Sequence, residues 1–121
     1  MGGSIVVVYE TDPKLAQSIA CGLRPHFAVE VTQSREELRE RLAQNHPEAV
    51  VLNIEHWRLS DLENLHRDFP KLSIVCTHRV PDEEMWMAAL DAGASDVCPD
   101  DAQDVLTSVR RSVGLPHSAA A

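Results

Sequence analysis

Ile5-Val6-Val7-Val8-Tyr9, followed by Glu10-Thr11-Asp12-Pro13, decides how the rest of the chain is read. The apolar run is too short for a helix and too uniformly apolar for a strand with one wet face. It reads as a strand covered on both sides, the mark of a parallel sheet. The polar residues after it open a helix: Asp12 suits the N-cap and Pro13 the first helical position. Leu15, Ile19 and Leu23, with Ala16 and Ala20 beside them, then form one apolar stripe. Gly22 weakens this helix near its end and Pro25 stops it.

The same unit recurs along the chain. Phe27, Val29 and Val31 alternate with Ala28, Glu30 and Thr32, a period-two strand near a sheet edge. Ser34 caps the next helix, with Glu37 placed to complete a capping box, and Leu38 and Leu42 face inward until His46-Pro47 ends it. Ala49-Val50-Val51-Leu52 is a second wholly apolar run, hence a central strand, and it ends on Asn53. A polar loop with Trp57 and a short helix around Leu62, Leu65 and Phe69 follow. Leu72-Ser73-Ile74-Val75-Cys76 is the fourth strand, ending at Thr77. Pro81-Asp82 opens a helix whose buried stripe holds Trp86, Ala89 and Leu90, with Gly93 as its C′ residue. Ser95-Asp96-Val97-Cys98 is a short fifth strand, and the last helix runs from about Ala102 to Val113 with Val105, Leu106 and Val109 inward. Five strands alternating with five helices predict an α/β domain over residues 5–114, its parallel strands joined by right-handed crossovers. Residues 1–4 read as a leader or cloning scar and residues 115–121 as a flexible tail or linker.

Composition narrows the partners. Of 121 residues 44% are apolar, enough for one core, and the formal charge is −8. An acidic domain repels phosphate backbones and anionic lipid, which disfavours nucleic acid and membrane surfaces. No apolar stretch approaches the ~18 residues a membrane span requires. Cys21, Cys76 and Cys98 make neither a CxxC pair nor a zinc set, and their usage fits a reducing, cytoplasmic compartment. The six histidines, His26, His46, His56, His66, His78 and His117, include no pair at the i, i+4 spacing of a helical zinc site.

In open α/β sheets, function gathers at the carboxyl ends of the strands, near the switch in winding. Here those ends carry Glu10, Thr11 and Asp12, then Asn53, Thr77 and Asp100. Their order and spacing resemble the receiver domain of bacterial response regulators over essentially the whole chain. The quoted parts are Val8-Tyr9-Glu10-Thr11-Asp12-Pro13, Pro47-Glu48-Ala49-Val50-Val51-Leu52-Asn53-Ile54, Thr77, and Ala92-Gly93-Ala94-Ser95-Asp96. The resemblance implies a flavodoxin-like, doubly wound five-stranded parallel sheet of order 2-1-3-4-5 with helices on both faces.

It also implies a phosphoacceptor pocket, and the departures fall on its chemistry. In a working receiver an Asp attacks the phosphoryl group of a kinase histidine, two further acids hold Mg²⁺, and a Lys and a Thr or Ser bind phosphoryl oxygens. Asn53 stands at the nucleophile position, and a neutral amide gives no stable acyl phosphate. The acid pair is Glu10 and Thr11, so one metal carboxylate is missing. Asp100 aligns with the Lys and inverts its charge, and Val97 aligns with the aromatic that rotates on activation. Thr77 and Glu10 remain, and Glu55 is placed to offer a backbone carbonyl. The expectation is a pseudo-receiver: not an enzyme, with weak or absent Mg²⁺ binding and no cofactor. It would act on a protein partner, or on a second copy of itself, through its fourth helix, fifth strand and last helix. Candidate contacts are Met85, Met87, Arg110 and Arg111, with Trp57 either an interface anchor or a lid packed over the vacant pocket. His78, at the pocket rim, is a surface-loop residue or a partner for Asp100 or an anion. Two other readings stay open. One is an active phosphoacceptor receiver whose Asp was replaced by Asn, which leaves Thr11, Asp100 and Val97 unaccounted for. The other is a small-anion sensor using the vacated pocket, which has no Gly-rich phosphate loop to support it.

Overall fold

The computed structural model describes residues 4–80 and 82–114; Pro81, residues 1–3 and the tail at 115–121 lie outside them. Five strands, β1 (Ile5–Tyr9), β2 (Ala28–Thr32), β3 (Ala49–Asn53), β4 (Ser73–His78) and β5 (Asp96–Pro99), form one parallel sheet in the order β2-β1-β3-β4-β5. Five helices alternate with them: α1 (Pro13–Leu23), α2 (Arg35–Asn45), α3 (Leu59–Asp68), α4 (Glu83–Asp91) and α5 (Ala102–Gly114). A short 3₁₀ turn, Ile54–His56, leads from β3 towards α3. The flavodoxin-like architecture and strand order read from the sequence are those observed.

The period of two along each strand sorts its side chains into two cores. Val7, Tyr9, Val50, Leu52, Ile74 and Cys76 face α2, α3 and α4, where they meet Leu38, Leu42, Leu62, Leu65 and Ala89. Val6, Val8, Val51, Val75 and Cys98 face α1 and α5, against Ile19, Leu23, Val105 and Val109. Every residue of β3 is buried, as its unbroken apolar run requires.

Local chemistry starts and stops the helices. Asp12 accepts hydrogen bonds from the Lys14 and Leu15 amides, Ser34 from Glu37 N and Asp82 from Met85 N. The reciprocal half of the expected capping box at α2 lands one residue early, with Glu37 Oε1 accepting from Gln33 N at 3.2 Å. α2 ends on His46 in the left-handed conformation (φ 48°). Gly93 follows α4 with φ 116°, and a Cβ there would stand 2.5 Å from His66 Cγ on α3, so only glycine fits. Gly22 costs α1 helix propensity but lets it approach α5: a Cβ there would lie 3.1 Å from Ala102 Cβ.

α4 corrects one reading. Trp86 is 43% exposed instead of lying on the buried stripe. The stripe runs through Met85, Ala89 and Ala92, about a quarter of a helical turn round from the phase expected of Trp86, Ala89 and Leu90. Small alanines bring α4 close to the sheet, and the flexible Met85 thioether fits a gap that a rigid indole would not.

Candidate functional site

The sheet order puts the switch in winding between β1 and β3, and the residues at their carboxyl ends meet there. Register pairs Tyr9 with Leu52 and Asn53 with Thr77, so Glu10, Asn53 and Thr77 arrive at one edge. All three are buried, Glu10 3%, Asn53 6% and Thr77 1% exposed. Buried polar groups need partners, and these have them. Asn53 Nδ2 donates to Glu10 Oε1 at 3.0 Å. Glu10 Oε2 accepts from the Asp12 amide at 3.0 Å. Asn53 Oδ1 accepts from the Glu55 amide at 2.9 Å, an Asx turn that also caps the 3₁₀ turn. Thr77 Oγ1 donates to the Leu52 carbonyl at 3.5 Å.

The site is therefore knitted to itself. The Asn53 amide has its donor on one acidic side chain and its acceptor on the backbone two residues ahead. Both Glu10 oxygens accept. Asp12, the nearest other acid, is engaged as the α1 cap and is exposed. Thr11 is exposed and Asp100, one residue past β5, is partly so; both stand outside this hydrogen-bonded group. Among the described residues, no group of three or more His, Cys, Asp or Glu side chains is arranged to hold a metal ion.

The rim holds contacts that the sequence did not announce. Glu55 turns its carboxylate to Arg79, accepting from the Arg79 amide at 3.0 Å and lying 3.4 Å from the guanidinium Nε. The amide hydrogen bond, more than any other influence, holds the Glu55 carboxyl below its usual range. His78 Nδ1 accepts from the Val80 amide at 3.0 Å, so this imidazole shapes the β4–α4 loop. Trp57 sets its ring edge-on to Tyr9, with centroids 5.8 Å apart, and takes the Arg35 guanidinium 4.8 Å from its centroid. Among the described residues its buried indole Nε1 has no hydrogen-bond partner. This packing, against Tyr9, Arg35 and the core beneath them, lies on the β1 side of the site.

On the opposite side Val97 is 8% exposed, while Met87 is 55% exposed and Met85 is packed against the core. Arg110 is exposed. Arg111 reaches back to Asp96 at 3.6 Å, and Ser108 Oγ donates to the same carboxylate at 2.6 Å, so this cluster docks α5 on β5. Ion pairs across 15 residues or more leave no local pattern to read; the Asx turn at Asn53, which the sequence reading missed, acts within two residues and had a local signal in the Asn itself.

No protein-family model matches the chain, and no curated protein matches it. Solved structures do. A response regulator from Thermotoga maritima superposes with a TM-score of 0.82 at 16% identity, over 93% of this chain and 98% of that one. An orphan response regulator of H. pylori gives 0.76 at 21%, over 91% and 93%. An atypical orphan response regulator, described as revealing a new phosphorylation-independent regulatory mechanism, gives 0.80 at 18%, over 91% and 95%. At such identities the likeness is one of fold, and it agrees with the strand order: the chain has the receiver-domain fold seen in response regulators.

Proposed function

We propose that this chain is a receiver-like signalling module that works without aspartyl phosphorylation, through contact with a protein partner on the face built by α4, β5 and α5. The observation that carries the reading is the Asn53–Glu10 hydrogen bond at the carboxyl edge of the sheet. Where the receiver resemblance puts a carboxylate nucleophile, this chain has an amide already bonded at both ends. Its nitrogen lone pair is delocalised into the carbonyl and it gives no stable acyl phosphate. Glu10 is the single buried acid of the trio, and Mg²⁺ favours several hard anionic oxygens in near-octahedral array. Asp100 near the edge repels a phosphoryl dianion where a cation would be needed. With Val97 in place of a ring there is no aromatic to report a change at the pocket.

Signalling by such a module is governed by concentration and partner availability, because a ligand shifts a conformational equilibrium only through its differential affinity for the two states. One neighbour of the same fold is described as having a phosphorylation-independent regulatory mechanism, which supports the reading. The test is an amide NMR spectrum recorded with and without acetyl phosphate and Mg²⁺. Unchanged resonances for Glu10, Asn53 and Thr77 are expected. Shifts at these residues that saturate with phosphodonor would overturn the reading.

A further inference from the structure

The charge of this protein is concentrated on one part of its surface. Between Val80 and Val109 there are eight acidic residues, Asp82, Glu83, Glu84, Asp91, Asp96, Asp100, Asp101 and Asp104, and not one Lys, Arg or His. The remaining 11 of its 19 acids are matched in number by its 11 Lys and Arg, so this segment accounts for the whole formal charge of −8. The segment is α4, β5 and most of α5. Six of the eight acids lie in or just before the first turns of α4 and α5, which start beside one another where β4 and β5 end.

Helix-start acids have a local use. Asp82 and Asp101 cap their helices, and their neighbours favour the helix dipole. Neither use explains what stands among them. Trp86 is 43% and Met87 55% exposed on α4, two of the four large apolar residues exposed among the described ones. Beside Trp86 is an open notch of about 230 Å³ lined by Asp82, Glu83, Trp86 and Val97. An aromatic wall, two carboxylates and an apolar floor make a receptor for a side chain that is cationic at its end and apolar along its stem.

We infer that the α4–β5–α5 face docks a basic protein partner, with one of its arginines seated in the notch between Trp86 and the carboxylates of Asp82 and Glu83. This rests on the proposal that the face is an interface, and names the partner's chemistry. A planar guanidinium can stack on the indole and bond both carboxylates at once, which an ammonium does less well. The same charge count argues against a second copy of this chain as the occupant. With Arg110 and Arg111 at the end of α5 counted, residues 82–114 still carry eight acids against two arginines, so two such faces would set like charge against like, which disfavours their association.

The probe is a short arginine-rich peptide, with an equal-length glutamate-rich peptide as control, titrated into the whole chain without phosphodonor. The arginine peptide is expected to shift the Trp86 indole N–H and the amides of Asp82–Met87, leaving the Trp57 indole unmoved. Trp86→Ala and Glu83→Gln are each expected to weaken binding about five-fold or more. Glu36→Gln on α2 should leave it within two-fold. An arginine peptide that does not bind, or binds with no loss in Trp86→Ala, overturns the inference. So does self-association in sedimentation that Trp86→Ala abolishes. Phosphorylation of the chain by acetyl phosphate would sink the proposed function while leaving this docking result intact, so the two failures are distinct.

Discussion

Replacing Asn53 with Asp is expected to destabilise the fold, because it reverses the bond on which the site closes. Nδ2 donates to Glu10 Oε1 across 3.0 Å between two buried side chains. An Asp there offers an oxygen to an oxygen. Two unit charges about 4 Å apart repel by ~4 kcal/mol at an effective dielectric of ~20. The pair can relieve this by keeping one proton. Holding a carboxyl of ordinary value ~3.9 protonated at pH 7 costs ~4 kcal/mol, at 1.36 kcal/mol per unit. The two routes cost about the same, so the expected loss at pH 7 is about 3–4 kcal/mol. Its sign with pH is fixed by linkage: a carboxyl whose folded value is raised leaves the folded state holding more protons, so stability falls as pH rises above the unfolded value. The penalty should vanish near pH 4 and grow towards neutrality. Urea unfolding of wild type and Asn53→Asp at pH 4 and pH 7.5, in EDTA, measures it. Equal stability of the two proteins at pH 7.5 would refute the account of the site.

The same variant, given acetyl phosphate and Mg²⁺, should show no long-lived phosphoprotein by mass, since Asp100 stands in for the Lys that would offset the new charge. Cys21 is exposed, whereas burial pushes the Cys76 and Cys98 thiols up to about 12; alkylation at pH 8 should label one thiol of the folded protein quickly and all three in urea. Gly93→Ala should cost about 2 kcal/mol or more in thermal or urea unfolding, through left-handed strain and the collision with His66, and His66→Ala should recover part of it. Because the Glu55 carboxyl is held low, its contribution is present above its unfolded value and lost as pH falls through the folded one. Glu55→Gln should flatten that acid limb, while Arg79→Ala, which keeps the amide, should leave most of it. Met87→Glu should change partner binding without changing stability, and Met85→Glu should lower the urea midpoint because that side chain packs on the core.

The elements that were legible in the sequence are those whose signal is local and strong. The wholly apolar runs at Ile5–Tyr9 and Ala49–Leu52 have no alternative to a doubly covered strand, and Asp12-Pro13, Ser34 and Gly93 mark helix ends by side-chain or backbone chemistry that acts within a few residues. Boundaries moved where tertiary pairing sets them: Phe27 falls outside β2, β4 runs on to His78, and β5 shifts to Asp96–Pro99. The phase of α4 was misread because Met85-Trp86-Met87 offers three large apolar residues and the sheet beneath selects among them. The site was legible as a set of positions but not as a set of bonds. Asn53 and Glu10 are 43 residues apart, and only the fold shows that the amide donates to the acid. Glu55–Arg79 and Asp96–Arg111 were invisible for the same reason.

The central claim is that the pocket cannot take a phosphoryl group, and intact mass tests it most directly. The wild-type chain is incubated with acetyl phosphate and Mg²⁺ at neutral pH and measured without acid or heat, beside a receiver known to accept the group. The account predicts an unchanged mass for this chain when the control gains one phosphoryl group. A single added phosphoryl group on the wild type, lost in Glu10→Gln or mapped to the Asn53 edge of the sheet, would contradict it.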